Sequence, residues 1–168
     1  MTAQQLTIGL AKSDDAYQFA LLSRELIEHG LGWSWTAPRI LRQIQSPDAL
    51  VAAARVDAEL VGFAIMYFAA QHGHLNLLAV QSQNQRRGVG GSLIRWLEES
   101  ALVAGVSDIY LEVRAQNMAA RNFYKAAGYV EFEEIRGYYN RSETAIRMVH
   151  DLRVNKAASL LPFSEIIG

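Results

Sequence analysis

The sequence predicts a single mixed α/β domain. Three observations carry that prediction. Apolar runs of strand length alternate with amphipathic runs of helix length from one end of the chain to the other. Two strand–turn–helix units follow each other closely, one over Leu75–Leu93 and one over Ile109–Tyr129. The 168 residues, 51% apolar and 20% charged with 12 glycines and three prolines, suffice for one core and fit neither a disordered nor a fibrous chain. No repeat, low-complexity block or linker divides the sequence.

Taken in order, Leu6–Leu10 reads as a short strand and Ser13–Asp15 as turn or helix-start residues. Tyr17–His29 reads as a helix, because Phe19, Leu22 and Ile27 recur near the 3.6 period, and Gly30 and Gly32 stop it. Trp33 and Trp35 fall in a loop ahead of Pro38, and Ile40–Ile44 gives a short second helix. Leu50–Ala54 and Leu60–Phe68 form a hairpin about Asp57-Ala58-Glu59. His74–Val80 is the next strand, Gly91–Ala104 a helix closed by Gly105, and Ser107–Arg114 another strand. Asn117–Ala127 is a helix ended by Gly128, and Tyr129–Ile135 and Thr144–His150 are the last strands. Lys156–Gly168 shows no clear period.

Charge and composition limit the partners. A formal charge of -1 gives no footprint for nucleic acid or an anionic membrane. With no cysteine, disulfides, thiolate metal ligands and cysteine nucleophiles are excluded. The opening residues lack a basic leader, and no segment approaches the ~20 apolar residues of a membrane span, so the expected location is the cytoplasm. His72 and His74 form an HxH pair on one strand face, but neither His29 nor His150 adds a third ligand beside them; no metal is expected. Arg147 and Arg153 are expected to face solvent.

The first chemical signal is Gln85-Arg86-Arg87-Gly88-Val89-Gly90-Gly91, with three glycines in four positions. Glycine admits positive φ and lets a ligand approach the main chain with no Cβ in the way. The helix that follows has unpaired N–H groups at its positive end, which suits a phosphate-bearing ligand, and Arg86 or Arg87 adds charge. A tight turn with two solvated arginines is the competing reading. Two other phosphate loops fit worse: no Lys-Ser/Thr follows Gly91, and no acid closes Val113–Arg114.

The second signal lies on Ile109–Arg114, where Ile109, Leu111 and Val113 point one way and Tyr110, Glu112 and Arg114 the other. A carboxylate on an interior strand needs a reason; a salt bridge to an adjacent strand and a chemical role both qualify. Asn117 suits a helix cap or an amide-bearing ligand. Tyr124 reads either as a core tyrosine or as a phenol at the depth of Glu112. The helix returns ~1.5 Å per residue against ~3.3 Å for the strand, so both reach one cleft.

Together these residues resemble the GCN5-related N-acetyltransferase (GNAT) superfamily over about residues 5–151. Gln85-x-x-Gly88-x-Gly90 is similar to that family's acetyl-coenzyme A pyrophosphate motif. Asn76-Leu77-Leu78-Ala79-Val80, Leu111-Glu112-Val113-Arg114-Ala115-x-Asn117, Phe123-Tyr124, Gly128-Tyr129 and Arg136-x-Tyr138-Tyr139 resemble most the bacterial enzymes that acetylate the N-terminal alanine of ribosomal protein S18. The resemblance implies an acetyltransferase domain over residues 1–153, a C-terminal extension over 154–168, and an α/β fold with a mixed central sheet, helices on both faces and two middle strands that splay to admit acetyl-coenzyme A. It implies Glu112 as base and Tyr124 as acid. Asn117 and the backbone of Leu78, Ala79 and Val80 would meet pantetheine, and Gln85, Arg86, Arg87, Gly88, Val89, Gly90 and Gly91 the pyrophosphate.

Trp33, Trp35, Asn76 and Tyr138 would line the acceptor end, with simple packing an equal reading for the tryptophans. The chain departs from the subgroup in the shorter connection Asn140–Ala145 and in the residues after Val154. The implied activity is acetyl transfer to a primary amine, foremost the N-terminal α-amine of a protein or peptide, by a monomer or homodimer. An acetyltransferase for a polyamine, amino acid or amino sugar, and a non-catalytic acetyl-coenzyme A sensor, are the alternatives.

Overall fold

Seven strands hydrogen-bond into one sheet in the order β1-β2-β3-β4-β5-β7-β6, in a computed structural model that describes residues 3–154. The strands are β1 Leu6–Leu10, β2 Ala49–Val56, β3 Glu59–Ala69, β4 His72–Val80, β5 Asp108–Arg114, β6 Val130–Tyr139 and β7 Glu143–Asp151. The helices are α1 Ala16–Leu22, α2 Ala37–Gln45, α3 Val89–Val103 and α4 Met118–Ala126. Every neighbouring pair is antiparallel except β4 and β5, which run parallel. The expected residues from Lys156 onward, and with them most of the 154–168 extension, lie outside the described residues.

Alternation of side chains gives the sheet two buried faces. On one, Phe19, Ala20 and Ile40 from α1 and α2 pack on Val51, Phe63, Ile65, Leu77 and Ala79. The Phe19 and Phe63 rings stack there at 4.3 Å. On the other, Leu93, Ile94, Leu97 and Ala101 of α3 pack on Ala64, Leu75, Ile109, Leu111 and Met148, with Phe123 and Tyr124 of α4 against them. The β2–β3 hairpin closes with Asp57 at φ 49° and Ala58 at φ 72°. Two consecutive left-handed residues make the tight turn that matches strand twist.

Two irregularities create the site. Ile65 pairs with Leu77 and Met66 with Leu75, so Asn76 is an extra residue, a bulge in β4. Bulges bend the strand that carries them. The β4–β5 ladder accordingly runs only through His72↔Asp108, Gly73↔Ile109 and His74↔Tyr110, while both strands continue well beyond it. The second irregularity is at the end of the first helix, where the expected span Tyr17–His29 is only partly α-helical. After Leu22 the chain widens into a π turn over Ser23–Ile27, with Glu28 N donating to Ser23 O at 2.8 Å. Gly30, at φ 76°, then turns the chain away.

The last two strands are longer than expected. β6 reaches Tyr139 and β7 starts at Glu143, so the paired tyrosines stand on a strand end and the Asn140–Ala145 connection shrinks to a turn at 140–142.

Candidate active site

The parting of β4 from β5 opens a cleft of about 800 Å³. Its walls include Asn76, Leu77 and Leu78 of β4, Glu112 of β5, Asn117 and Tyr124 from α4 and its cap, and Tyr138 of β6. Among the described residues, no strand pairs with the β5-facing edge of β4 beyond His74. That edge can accept an extended ligand arm as an added strand.

Glu112 sits at the centre of a charge cluster. Its side chain is 8% exposed. Oε2 meets His74 Nε2 at 2.5 Å, and Oε1 accepts from Arg147 Nε at 3.0 Å. Arg147 also donates through Nη1 to Glu133 at 2.6 Å. The other ring nitrogen of His74, Nδ1, donates to Asn76 Oδ1. Both His74 nitrogens therefore face oxygen acceptors, the arrangement that only the doubly protonated ring satisfies in full. The Glu112 contact is the main reason the His74 pKa is raised above its ordinary 6.5, against burial. Burial alone would raise the Glu112 carboxyl, but the bonds and charges of His74 and Arg147 hold it below its ordinary value.

Arg147 is thus not a solvent-facing residue, as the sequence suggested. It stands directly opposite Glu112 in the β5–β7 register, so its side chain shares the face of the sheet. His74 reaches Glu112 from the parallel strand. Neither had been singled out as part of the site. The clue available was the shared face: His72 and His74 alternate with buried residues on β4 as Glu112 does on β5.

The acceptor end has a roof built around a buried carboxylate that sequence reasoning also missed. Glu28, 6% exposed, accepts from Ser34 N at 2.7 Å, Ser34 Oγ at 2.6 Å, Ser23 Oγ at 3.2 Å and Trp35 N at 3.2 Å. It ties the loop after the π turn back onto that turn. Arg114 Nη2 donates to Ile27 O at 3.0 Å and His29 O at 2.9 Å, fastening the same turn to β5. Trp35 lines the cleft with the Arg39 guanidinium 3.8 Å above its ring. Trp33 is outside the lining; it is 43% exposed, beneath Arg24 at 5.0 Å.

Tyr138 and Tyr139 close the far side with ring centroids 4.8 Å apart. Burial raises the Tyr138 phenol, and so does the Glu112 charge nearby. Burial also pushes Tyr139 up to about 12. Tyr124 is raised further, by burial and then by Tyr139, so its hydroxyl keeps its proton at any ordinary pH. Asn117 does cap α4, its Oδ1 accepting from Ala120 N at 3.1 Å, and it lines the cleft as well.

The glycine turn stands beyond Leu78, past the end of the cavity lining. Gln85 is bound into the turn, its Nε2 donating to Val80 O at 3.0 Å. Arg86 (φ 62°) and Gly88 (φ 82°) are both left-handed, and Gly88 caps α3. The amides of Val89, Gly90 and Gly91 belong to the first helical turn, which has no partners inside the helix. Successive amides around left-handed residues form an anion-binding nest. A Cβ at Gly88 or Gly91 would have no neighbour within 4 Å, whereas one at Gly90 would lie 3.0 Å from Phe123 Cζ. A side chain at Gly90 would therefore press on the Phe123 ring where α4 packs near α3. Arg86 and Arg87 are exposed.

A split parallel pair, a glycine-rich turn at the next helix, and a carboxylate and phenol lining one cleft make up the candidate site. The chain matches the acetyltransferase (GNAT) family over residues 18–129, and it belongs to that family of acetyl-coenzyme A-dependent enzymes. It is 29% identical over 125 residues to an N-alpha-acetyltransferase of Sulfurisphaera tokodaii, a match covering 67% of this chain and 75% of the relative. It is 36% identical over 83 residues to the [ribosomal protein bS18]-alanine N-acetyltransferase of Salmonella typhimurium, covering 49% of this chain and 56% of the relative. The crystal structure of the ribosomal-protein-S18-alanine N-acetyltransferase of Escherichia coli superposes with a TM-score of 0.75 at 27% identity, over 88% of this chain and 94% of that one. The seven-stranded mixed sheet with helices on both faces is thus the fold expected from the sequence. Among the described residues no helix is long and apolar enough to cross a membrane, and no three His, Asp or Glu residues gather as metal ligands do.

Proposed function

We propose that this chain transfers the acetyl group of acetyl-coenzyme A to a primary amine, and that the amine is the N-terminal α-amine of a protein or peptide. The observation that carries the reading is the opening of β4 from β5 at His74, a cleft that Glu112 and Tyr124 both line and whose β4 wall ends at Leu78, ahead of the glycine turn. The residues present fit the carrier: a nest for the pyrophosphate at Arg86–Gly91, a free strand edge for pantetheine at Leu75–Leu78, and Asn117 beside it. When bound, the carrier supplies an activated thioester carbonyl.

The proton path belongs to this chain. Both Glu112 oxygens are engaged and the carboxylate is nearly buried, whereas the His74 side chain is 38% exposed. Glu112 therefore acts through His74. In the neutral ring Nε2 keeps its proton on Glu112, and Nδ1, released from Asn76 Oδ1, takes the proton of the attacking amine while the carboxylate holds the ring and steadies the cation that forms. Tyr124, fully protonated, donates to the departing thiolate. An α-amine of pKa near ~8 is about a tenth neutral at pH 7, while a lysine near ~10.4 has well under a thousandth available. A modest base suffices for the first alone.

Similar proteins support the same acceptor class: one is an N-alpha-acetyltransferase and another a [ribosomal protein bS18]-alanine N-acetyltransferase. Coenzyme A release by the purified chain, measured with N-terminal peptides, lysine peptides and small amines, tests the proposal. Turnover confined to N-terminal peptides is the expected result. Turnover with small amines only would move the acceptor class, and binding without release would make the chain a sensor.

A further inference from the structure

Behind Tyr124, away from the cleft, lies a buried polar cluster that the chemistry above does not use. Glu98 on α3 and His150 on β7 meet at 2.7 Å, Oε1 to Nδ1, with side chains 14% and 10% exposed. Tyr129 is 3% exposed, and burial first and the Glu98 charge next hold its phenol well above the ordinary value. Its ring lies 5.2 Å from His150 and 5.7 Å from Tyr124. The turn between α4 and β6 is seated on the imidazole: Gly128, at φ 102°, leaves no room for a Cβ, which would fall 2.8 Å from His150 Nε2. Burying a carboxylate is costly unless it is well paired, so a cluster of this kind has a task.

The other side of Tyr124 leads back to the same helix. Its ring is 5.1 Å from that of Phe123, and Phe123 rests on Gly90 in the first turn of α3. Contacts therefore run from Gly90 through Phe123, Tyr124, Tyr129 and His150 to Glu98, which stands roughly 12 Å further along α3. Both ends of this clamp are on the helix whose first turn forms the glycine nest.

We propose that Glu98 and Tyr129 are positioning residues for Tyr124, fixing the phenol from α3 so that one helix sets both the seat of the cofactor phosphates and the place of the proton donor. The inference rests on the acetyl-transfer reading and on Tyr124 as its acid. A cluster that merely closes the α4–β6 turn would affect folding but not the chemical step selectively.

The test uses the full chain with Tyr129→Phe, Glu98→Ala and Glu98→Gln, each made alone and together with Tyr124→Phe. Turnover, amine KM and acetyl-coenzyme A affinity by calorimetry are measured for all. Tyr129→Phe and Glu98→Ala should lower kcat on the order of 10-fold through misplacement of the phenol. Affinity and KM should stay within about twofold, the pattern of an interaction used only in the transition state. Glu98→Gln, which keeps a carbonyl oxygen for His150 Nδ1, should recover most of the rate. With Tyr124 already replaced, none of the three should slow the enzyme further.

Equal fractional losses in both backgrounds, or affinity falling in step with kcat, would overturn the clamp while leaving acetyl transfer intact. A wild-type chain that binds acetyl-coenzyme A and releases no coenzyme A with any amine would sink the transferase reading, and the clamp with it.

Discussion

His74 is the residue on which the pH behaviour turns. Its neutral form is the proposed base, and Glu112 raises its pKa above 6.5. The free enzyme should therefore gain kcat/KM as pH rises, with a midpoint above the ordinary histidine value. His74→Gln keeps a polar side chain but removes the titration; it should cost about 10²-fold in kcat/KM and leave only the limb set by ionisation of the amine. An unchanged pH profile in the variant would remove His74 from the proton path. Tyr124→Phe probes the other proton. It should lower turnover and leave cofactor affinity nearly intact, and equal rates in the two proteins would end its role as acid. Gly88 tests the nest. Its φ of 82° and the open space beside it mean that a valine there would strain the turn and cover the amides. Calorimetry should then show clearly weaker acetyl-coenzyme A binding, and undiminished affinity would argue against the nest.

At the scale of the element, periodicity announced nearly every strand and helix, because each has one face on a core. What it missed were the two places where an extra residue is accommodated. Leu75–Val80 reads as an unbroken strand, and nothing local marks Asn76 as the bulge; that depends on how Met66 and Ile65 of β3 choose their partners. Ser23–Ile27 continues a helical pattern, and the π turn is fixed by Glu28 and its bonds to Ser23, Ser34 and Trp35. Both departures are settled by tertiary contacts, and both flank the cleft. The β2–β3 turn offers a clean stability test. Ala58 is left-handed at φ 72°, a conformation costing an L-residue about 1 kcal/mol that glycine avoids. Ala58→Gly should raise the unfolding free energy by about that amount in denaturant titration, less the entropy glycine adds to the unfolded chain. A loss of stability would contradict the turn geometry.

The whole molecule joins groups that the sequence keeps far apart. Glu112 and Tyr124 lie within one strand–helix unit, which is why they could be read together. His74 is 38 residues from Glu112 and Arg147 is 35, and only the sheet order β4-β5-β7 brings them to one carboxylate. That cluster links stability and activity with opposite demands on the same proton. His74 has a raised pKa in the folded state, so its contribution is complete below 6.5 and fades as pH rises through the folded value. Glu112 has a lowered pKa, so its contribution is complete above 4.5 and fades as pH falls through the folded value. The ion cluster thus favours folding most between those two ordinary values, where His74 is charged and useless as a base. Thermal unfolding midpoints followed across that window and on either side should show a plateau within it, and the wild-type advantage over His74→Gln should shrink as pH rises above it. The rate should climb as that advantage shrinks. If the stability difference between the two proteins instead held constant while the rate rose, the proton that activates the enzyme would have to come from a group other than His74.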